Sequence, residues 1–215
     1  MTWLRDHLGD VLGLTVQHVY LAGVPLILGL LIALPLGWLA RRYRALYPIL
    51  IIGTSLLYTI PSLALFIMLP FLLGTKILDP TNVVVAMTIY TVALLVRTVA
   101  DGLGSVPEAV NQSATAMGYK RGRRFLAVEL PLAVPVISAG LRVAAVSNVS
   151  IVSVAALIGV EQLGSLFTDG FNRDFMDPII VGVIACVLLA LLFDGAILGL
   201  TRLATPWQRA GKAPA

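Results

Sequence analysis

Four basic side chains packed into five positions, Lys120, Arg121, Arg123 and Arg124, are the strongest chemical signal in this chain. They sit in a polar stretch, QSATAMGYKRGRRFLAVELP at 112–131, with long apolar runs before and after it. A charged segment in that setting meets an aqueous partner or fixes orientation; it does no covalent chemistry. Groups that would do such chemistry are absent or isolated. His7 and His18 have no carboxylate or cysteine at metal-ligand spacing, and His18 reads as a helix-end residue at the start of the first apolar run. The lone Cys186 cannot form an internal disulfide or a multi-cysteine metal site. No G-x-x-x-x-G-K-[ST] loop cradles a phosphate, no H-E-x-x-H is present, and no Ser/His/Asp grouping stands out. The chain does not read as a membrane enzyme, and it is expected to bind no cofactor of its own.

The elements that must hold this loop are apolar. Of 215 residues, 59% are hydrophobic and only 12% are charged, against about a quarter charged in a soluble domain. A helix needs about 20 apolar residues to cross the hydrocarbon core. Segments 15–40, 46–73, 81–103, 132–160 and 178–204 meet that requirement, so an all-α integral membrane protein of about five spans is expected. Residues 1–215 are read as one membrane domain, without a cleavable signal peptide, because the first run is as long as a full span. Pro25, Pro35, Pro61 and Pro70 each kink or break a helix; taken one at a time, a kinked structural helix is the preferred reading. Residues 1–13 place Leu4, Leu8, Val11 and Leu12 at helical spacing and read as an interfacial helix. A further short helix, broken near Gly170, is expected within 162–175.

Basic residues set the orientation. Arg41, Arg42 and Arg44 follow the first span, the 120–124 cluster follows the third, and Arg202, Arg209 and Lys212 end or follow the fifth. Alternate loops hold only Lys76 and Arg173, and the second of them is acidic, with Glu161, Asp169, Asp174 and Asp177. The positive-inside rule then places both basic loops and the C-terminus in the cytoplasm and the N-terminus outside. The formal charge of +4 lies beside the spans and does not point to nucleic acid.

Within the basic loop, 108–118 is helix-compatible and rich in small residues, which let another surface approach the backbone. Gly118 can end that helix in a left-handed conformation. A second short helix is expected at 119–128, until Pro131 starts the next span. Met117 lies beside the glycine, and Tyr119 and Phe125 are candidate apolar anchors for a partner cleft. The order of residues resembles the cytoplasmic loop of permease subunits in binding-protein-dependent ABC importers. That family shows E-A-A, three residues, G, nine residues, I-x-L-P. Gln112, Ser113 and Ala114 take the first places, Gly118 the glycine, Val128 the isoleucine, and Leu130 and Pro131 the last pair.

A subfamily is also indicated. Thr15, Gln17-His18, Pro35-Leu36-Gly37, the run 59–64 (TIPSLA), Arg97-Thr98, Gly102-Leu103, the run 128–133, Pro135 and the run 139–142 resemble glycine betaine, choline and carnitine permeases. The resemblance implies a type I ABC importer transmembrane domain in a prokaryotic cell membrane. It implies that 108–129 forms coupling helices docked on separate ATPase subunits, which bind ATP and magnesium. A second permease subunit and an extracytoplasmic substrate-binding protein complete such a machine. The sequence departs at Gln112, a glutamate in the family, and at 159–164 (GVEQLG), usually G-A-G-G-L-G. Both departures suit one member of a heterodimer.

Charges within spans normally face protein or water. Arg97 and Asp101 fall one helical turn apart and can pair locally. Arg142 and Asp194 fall at similar depth, which fits an interhelical pair. Thr59, Ser62, Ser147, Asn148 and Ser150 are candidate path residues, although the last three cannot all share one helix face. Three Trp, six Tyr and seven Phe form no cluster in sequence that would cage an ammonium group, as fits solute selection by a separate protein. The expected solute is an osmoprotectant such as glycine betaine, choline, carnitine or proline betaine. An ABC permease for another solute such as methionine, and a non-ABC carrier or channel, are the alternatives.

Overall fold

A computed structural model describes residues 2–207, and all regular structure among them is helical. The helices are α1 (Thr2–Asp6), α2 (Leu8–Arg42), α3 (Leu46–Thr59), α4 (Ser62–Leu73), α5 (Pro80–Gly104), α6 (Glu108–Ala116), α7 (Arg121–Arg124), α8 (Leu130–Val152), α9 (Ser165–Asn172) and α10 (Met176–Ala204). A π-turn at Phe125–Glu129 joins α7 to α8, and a 3-10 turn at Ser153–Ile158 follows α8. In hydrocarbon, helices are one of the few structures that satisfy every backbone group internally. Among the described residues four helices are long and apolar enough to cross a membrane: α2, α5, the continuous run Arg121–Ile158, and α10. The pair α3 and α4 makes a fifth crossing if counted together. Arg209 and Lys212, expected on the cytoplasmic flank, lie outside the described residues.

Four expectations are corrected. Segment 46–73 is not one continuous helix; α3 and α4 are bent by 101° at the break between them. Proline drives the residue before it out of the helical region, and Ile60 sits at ψ 129° and Pro61 at ψ 131°. At the N-terminus, the interfacial helix shrinks to α1, because α2 runs unbroken from Leu8 through Gly9 and Gly13. Pro131 sits in the first turn of α8, but no break precedes it. Leu130 N–H donates to the Phe125 carbonyl across the π-turn, and the helix continues past the proline. Finally, α9 runs through Gly170 without a break.

The bundle is built on α5, which packs against α2, α3, α4 and α8. Small residues permit the closest approaches. A Cβ placed on Gly37 of α2 would lie 2.6 Å from Val99 Cβ and Cγ1 on α5, and one on Gly29 would collide with Thr91. On α8, Gly140 faces Thr98 of α5 in the same way. With no hydrophobic drive between helices in lipid, close packing and interhelical hydrogen bonds carry the association. Asn148 supplies such bonds: its buried amide donates to Thr91 Oγ1 (3.0 Å) and to the Ala22 carbonyl (3.3 Å), tying α8 to α5 and α2. Arg142 and Asp194 join α8 to α10 through two bonds of 2.6 and 2.8 Å, the expected interhelical pair.

His18 corrects another expectation. It lies inside α2, fully buried, not at a helix end. Its ring nitrogens are 3.0 Å from the Val149 carbonyl oxygen and 3.1 Å from Gln162 Oε1, so it ties α2 to α8 and to the segment before α9. At the start of α5, the Thr81 amide N–H donates to Asp79 and holds its carboxyl below the usual carboxylate range. That cap is intact at neutral pH and is lost only as the pH falls through the lowered value.

Gly37→Ala forces α2 away from the β-branched Val99 and is expected to cost about 1–3 kcal/mol. Gly53→Ala, where a Cβ meets nothing within 4 Å, is the control and should be neutral or mildly stabilising. Thermal unfolding of the two purified variants in detergent checks the difference.

Candidate functional site: the loop between α5 and α8

Pro107 starts α6, and the helix ends in a left-handed turn at Gly118, φ +84°. Tyr119 N–H donates to the Ala114 carbonyl and Gly118 N–H to the Thr115 carbonyl. This paired pattern is a Schellman motif, which a glycine at that position favours. A side chain on Gly118 would meet nothing within 4 Å, so its cost within the chain is backbone strain of about 1–2 kcal/mol. Such a side chain would project from the exposed end of the loop.

The loop is clamped from beneath. Arg124 Nε donates to Glu129 Oε1 at 2.7 Å and its Nη1 donates to Thr115 Oγ1 at 2.9 Å, pinning the end of α6 to the π-turn. Ala114 is the buried residue of α6, whereas Gln112 and Ser113 are exposed and the Ser113 hydroxyl bonds back to the Ala109 carbonyl. Met117 is 71% exposed beside the turn, a large apolar side chain that the other described residues leave uncovered. Tyr119 is half-buried with the Arg123 guanidinium 5.1 Å above its ring. Phe125 takes a different place from the other anchor candidate. Its ring packs edge-on against Trp38, centroids 6.1 Å apart, and holds the loop to α2. Leu130 and Pro131 are half-buried at the start of α8. Met117 and Gly118 are thus exposed at the turn and Gln112 and Ser113 on α6, Tyr119 is half-buried beside them, and Ala114 and Phe125 face inward.

A recess of about 220 Å³ lies under the loop, lined by Arg41, Arg42, Arg121, Glu108 and Asn111 among others. Asn111 Oδ1 is buried there without a hydrogen-bond partner. At the other end of the bundle, Trp3, His7, Gln17, Glu161 and Asp169 help line a cleft of about 810 Å³. Gln162, one of the departures in the 159–164 loop, is fully buried. Its Oε1 accepts from Gly164 N–H, and its amide donates to the Ser153 carbonyl at 3.2 Å. It shapes the loop from within, and Glu161 beside it is the exposed group.

The polar span residues do not form one set. Asn148 is buried between helices, Ser147 and Ser62 are half-buried, and Thr59 and Ser150 are exposed. Sequence reasoning missed the Arg124 clamp, although a basic residue five positions before Glu129 was a visible signal.

Glu129→Gln removes the charge that holds Arg124 and should loosen the clamp. Hydrogen exchange is expected to rise across 113–124 while the core of α5 stays protected; unchanged exchange in the loop would refute the clamp.

The pattern described for binding-protein-dependent transport system inner membrane components matches residues 26–205. The osmoprotectant import permease protein OsmW of Salmonella typhimurium is 33% identical over 207 residues, 95% of this chain and 96% of that protein. The glycine betaine/carnitine/choline transport system permease protein OpuCB of Bacillus subtilis is 29% identical, over 96% of this chain and 94% of its own length. Among solved structures, a chain of the inward-facing MetNI methionine ABC transporter aligns with a TM-score of 0.80 at 21% identity, covering 95% of this chain and 98% of that one. The helix arrangement is therefore that of a type I ABC importer transmembrane domain. With a family match over most of its length and several apolar helices, this chain belongs to the inner membrane components of binding-protein-dependent transport systems, as a multi-pass transport subunit.

Proposed function

We propose that this chain is the permease subunit of an ATP-driven importer of osmoprotectants, with glycine betaine, choline, carnitine or proline betaine as the solute. The observation that carries the solute class is the full-length likeness to an osmoprotectant import permease. In this reading ATP and magnesium are bound by separate ATPase subunits, and this chain holds no cofactor. Two permease subunits, identical or paralogous, enclose the path, and an extracytoplasmic binding protein delivers the solute.

Residues 108–129 act as the coupling element. Met117 and Tyr119 enter the ATPase cleft, Gln112 and Ser113 lie on its rim, and Gly118 lets the backbone approach. Ala114, Phe125, Leu130 and Pro131 hold the element to the bundle. ATP binding draws the two ATPase subunits together, and the Arg124–Glu129 clamp passes that displacement into the continuous helix from α7 to α8. The clamp favours this reading because a loop that moved independently of α8 would dissipate the stroke. Basic residues at 41–44 and 120–124 support a cytoplasmic loop and C-terminus, with the N-terminus and the 810 Å³ cleft outside, where the binding protein docks.

Uptake of labelled glycine betaine by proteoliposomes holding the complete transporter tests the reading. Uptake is expected to need ATP inside, the binding protein outside, and an intact loop. Gly118→Asp places an unpaired carboxylate in a desolvated cleft, which costs about 2–5 kcal/mol, so ATPase affinity should fall by about 30-fold or more. ATP-independent uptake, or full uptake with Gly118→Asp, would overturn the coupling role. Transport of methionine but none of the betaines would overturn the solute class alone.

A further inference from the structure

Arg97 and Asp101 are charged side chains in a helix long and apolar enough to span, yet they are 66% and 53% exposed on the surface of the subunit. Their ion pair is loose: Arg97 Nε lies 3.7 Å from Asp101 Oδ2, and Tyr47 of α3 donates to Asp101 Oδ1 at 3.3 Å. Most of the guanidinium donors of Arg97 are left without a partner among the described residues. Acyl chains cannot supply one.

The direction this pair faces follows from its neighbours. Thr91 and Val99 of α5 meet α2, and Thr98 and Gly102 meet α8. Arg97 is two residues from Val99, about 200° around the helix. It therefore opens away from α2, in the gap between α3 and α8. Tyr90 lies seven residues before Arg97 on the same face of α5. Its hydroxyl donates to the Ile60 carbonyl, and its ring is edge-on to Tyr58, centroids 5.7 Å apart. The face of α5 that carries the charges thus runs on to the break between α3 and α4. Asp101 to Tyr90 covers about 16 Å of helix, more than half of a hydrocarbon core. At the break, where the backbone is non-helical, Thr59 and Pro61 are exposed, while Tyr90 and the Leu65 amide bond the Ile60 and Pro61 carbonyls. Such backbone is tolerated only against protein or a water-filled cavity. Two unrelated features, exposed charge and an exposed helix break, fall on one strip.

We propose that this strip, Tyr47, Tyr58, Thr59, Arg97 and Asp101, is the water-filled wall of the solute path. The opposite character of α10, where Val183, Val187 and Leu191 are exposed and apolar, marks a face for lipid. The inference rests on the translocation role proposed above, but its test uses no solute, so it stands or falls separately from the solute class.

The test is cysteine accessibility in the complete reconstituted transporter, in a Cys186→Ala background. Arg97→Cys, Asp101→Cys and Thr59→Cys are compared with Val187→Cys and Leu191→Cys, using a membrane-impermeant trimethylammonium methanethiosulfonate reagent. The thiolate is the reacting form and water favours it, so the strip should label about tenfold or more faster than α10. Trapping with ATP and vanadate should change the rates on the strip and leave those on α10 unchanged. If Arg97→Cys prevents assembly, Asp101→Cys and Thr59→Cys give the same reading. Labelling of the strip as slow as α10 would overturn the proposal, and a disulfide between two Thr59→Cys copies would then identify a dry subunit contact. Labelling at 97 and 101 but not 59, indifferent to trapping, would also overturn it, because Arg97 would then only be reaching the cytoplasmic surface.

Discussion

The close approach of α2 and α5 at Gly29 and Gly37 is the contact on which the rest of this bundle depends. Inside a membrane there is little hydrophobic gain in moving a helix from lipid to helix, so contact distance and polar cross-links decide whether helices stay together. The two glycines bring the backbones near enough for Asn148 to reach Ala22 and Thr91 at once. His18 repeats the arrangement nearer the other end, between Val149 and Gln162. With this inner frame tied by side-chain bonds, α10 can be held at the edge by the Arg142–Asp194 pair and still give most of its surface to lipid.

The loop between α5 and α8 extends this frame. Phe125 on Trp38 and Arg124 on Glu129 make α6, α7 and the π-turn one rigid projection of α8. A π-turn inserts an extra residue into the helix and often marks a working site. Here it lets the chain pass Pro131 without a break, so a push on the loop is carried along the helix axis. Stiffness in the loop and an exposed tip at Met117 and Gly118 are the two properties that a coupling element needs.

Much of this was legible from the residues. Long apolar runs report spans because the hydrocarbon core demands length, and the Gly118 turn was readable because the left-handed region favours glycine. The Arg142–Asp194 pair followed from depth counting. What was hidden depended on tertiary context. Pro25 and Pro35 stay within α2, whereas Pro61 turns the chain by 101°; the prolines are chemically alike, and what surrounds each one differs. His18 looked like a helix end because nothing local shows that Gln162, 144 residues away, will bond to it. Gln162 itself stood out only as a departure from the family pattern, and its side chain is taken up by His18, Ser153 and Gly164. Phe125 and Tyr119 carry the same aromatic signal, and only packing against Trp38 separates a buried wedge from a half-exposed contact.

The central claim is that the tip of the 112–131 segment seats in an ATP-hydrolysing partner. Photo-crosslinking from Met117, replaced by benzoylphenylalanine in the assembled transporter and read by mass spectrometry, tests it most directly. The account predicts an adduct with the ATPase subunit from position 117 and adducts with lipid from Leu188 on α10. Adducts with lipid, or with this chain alone, from position 117 would contradict it.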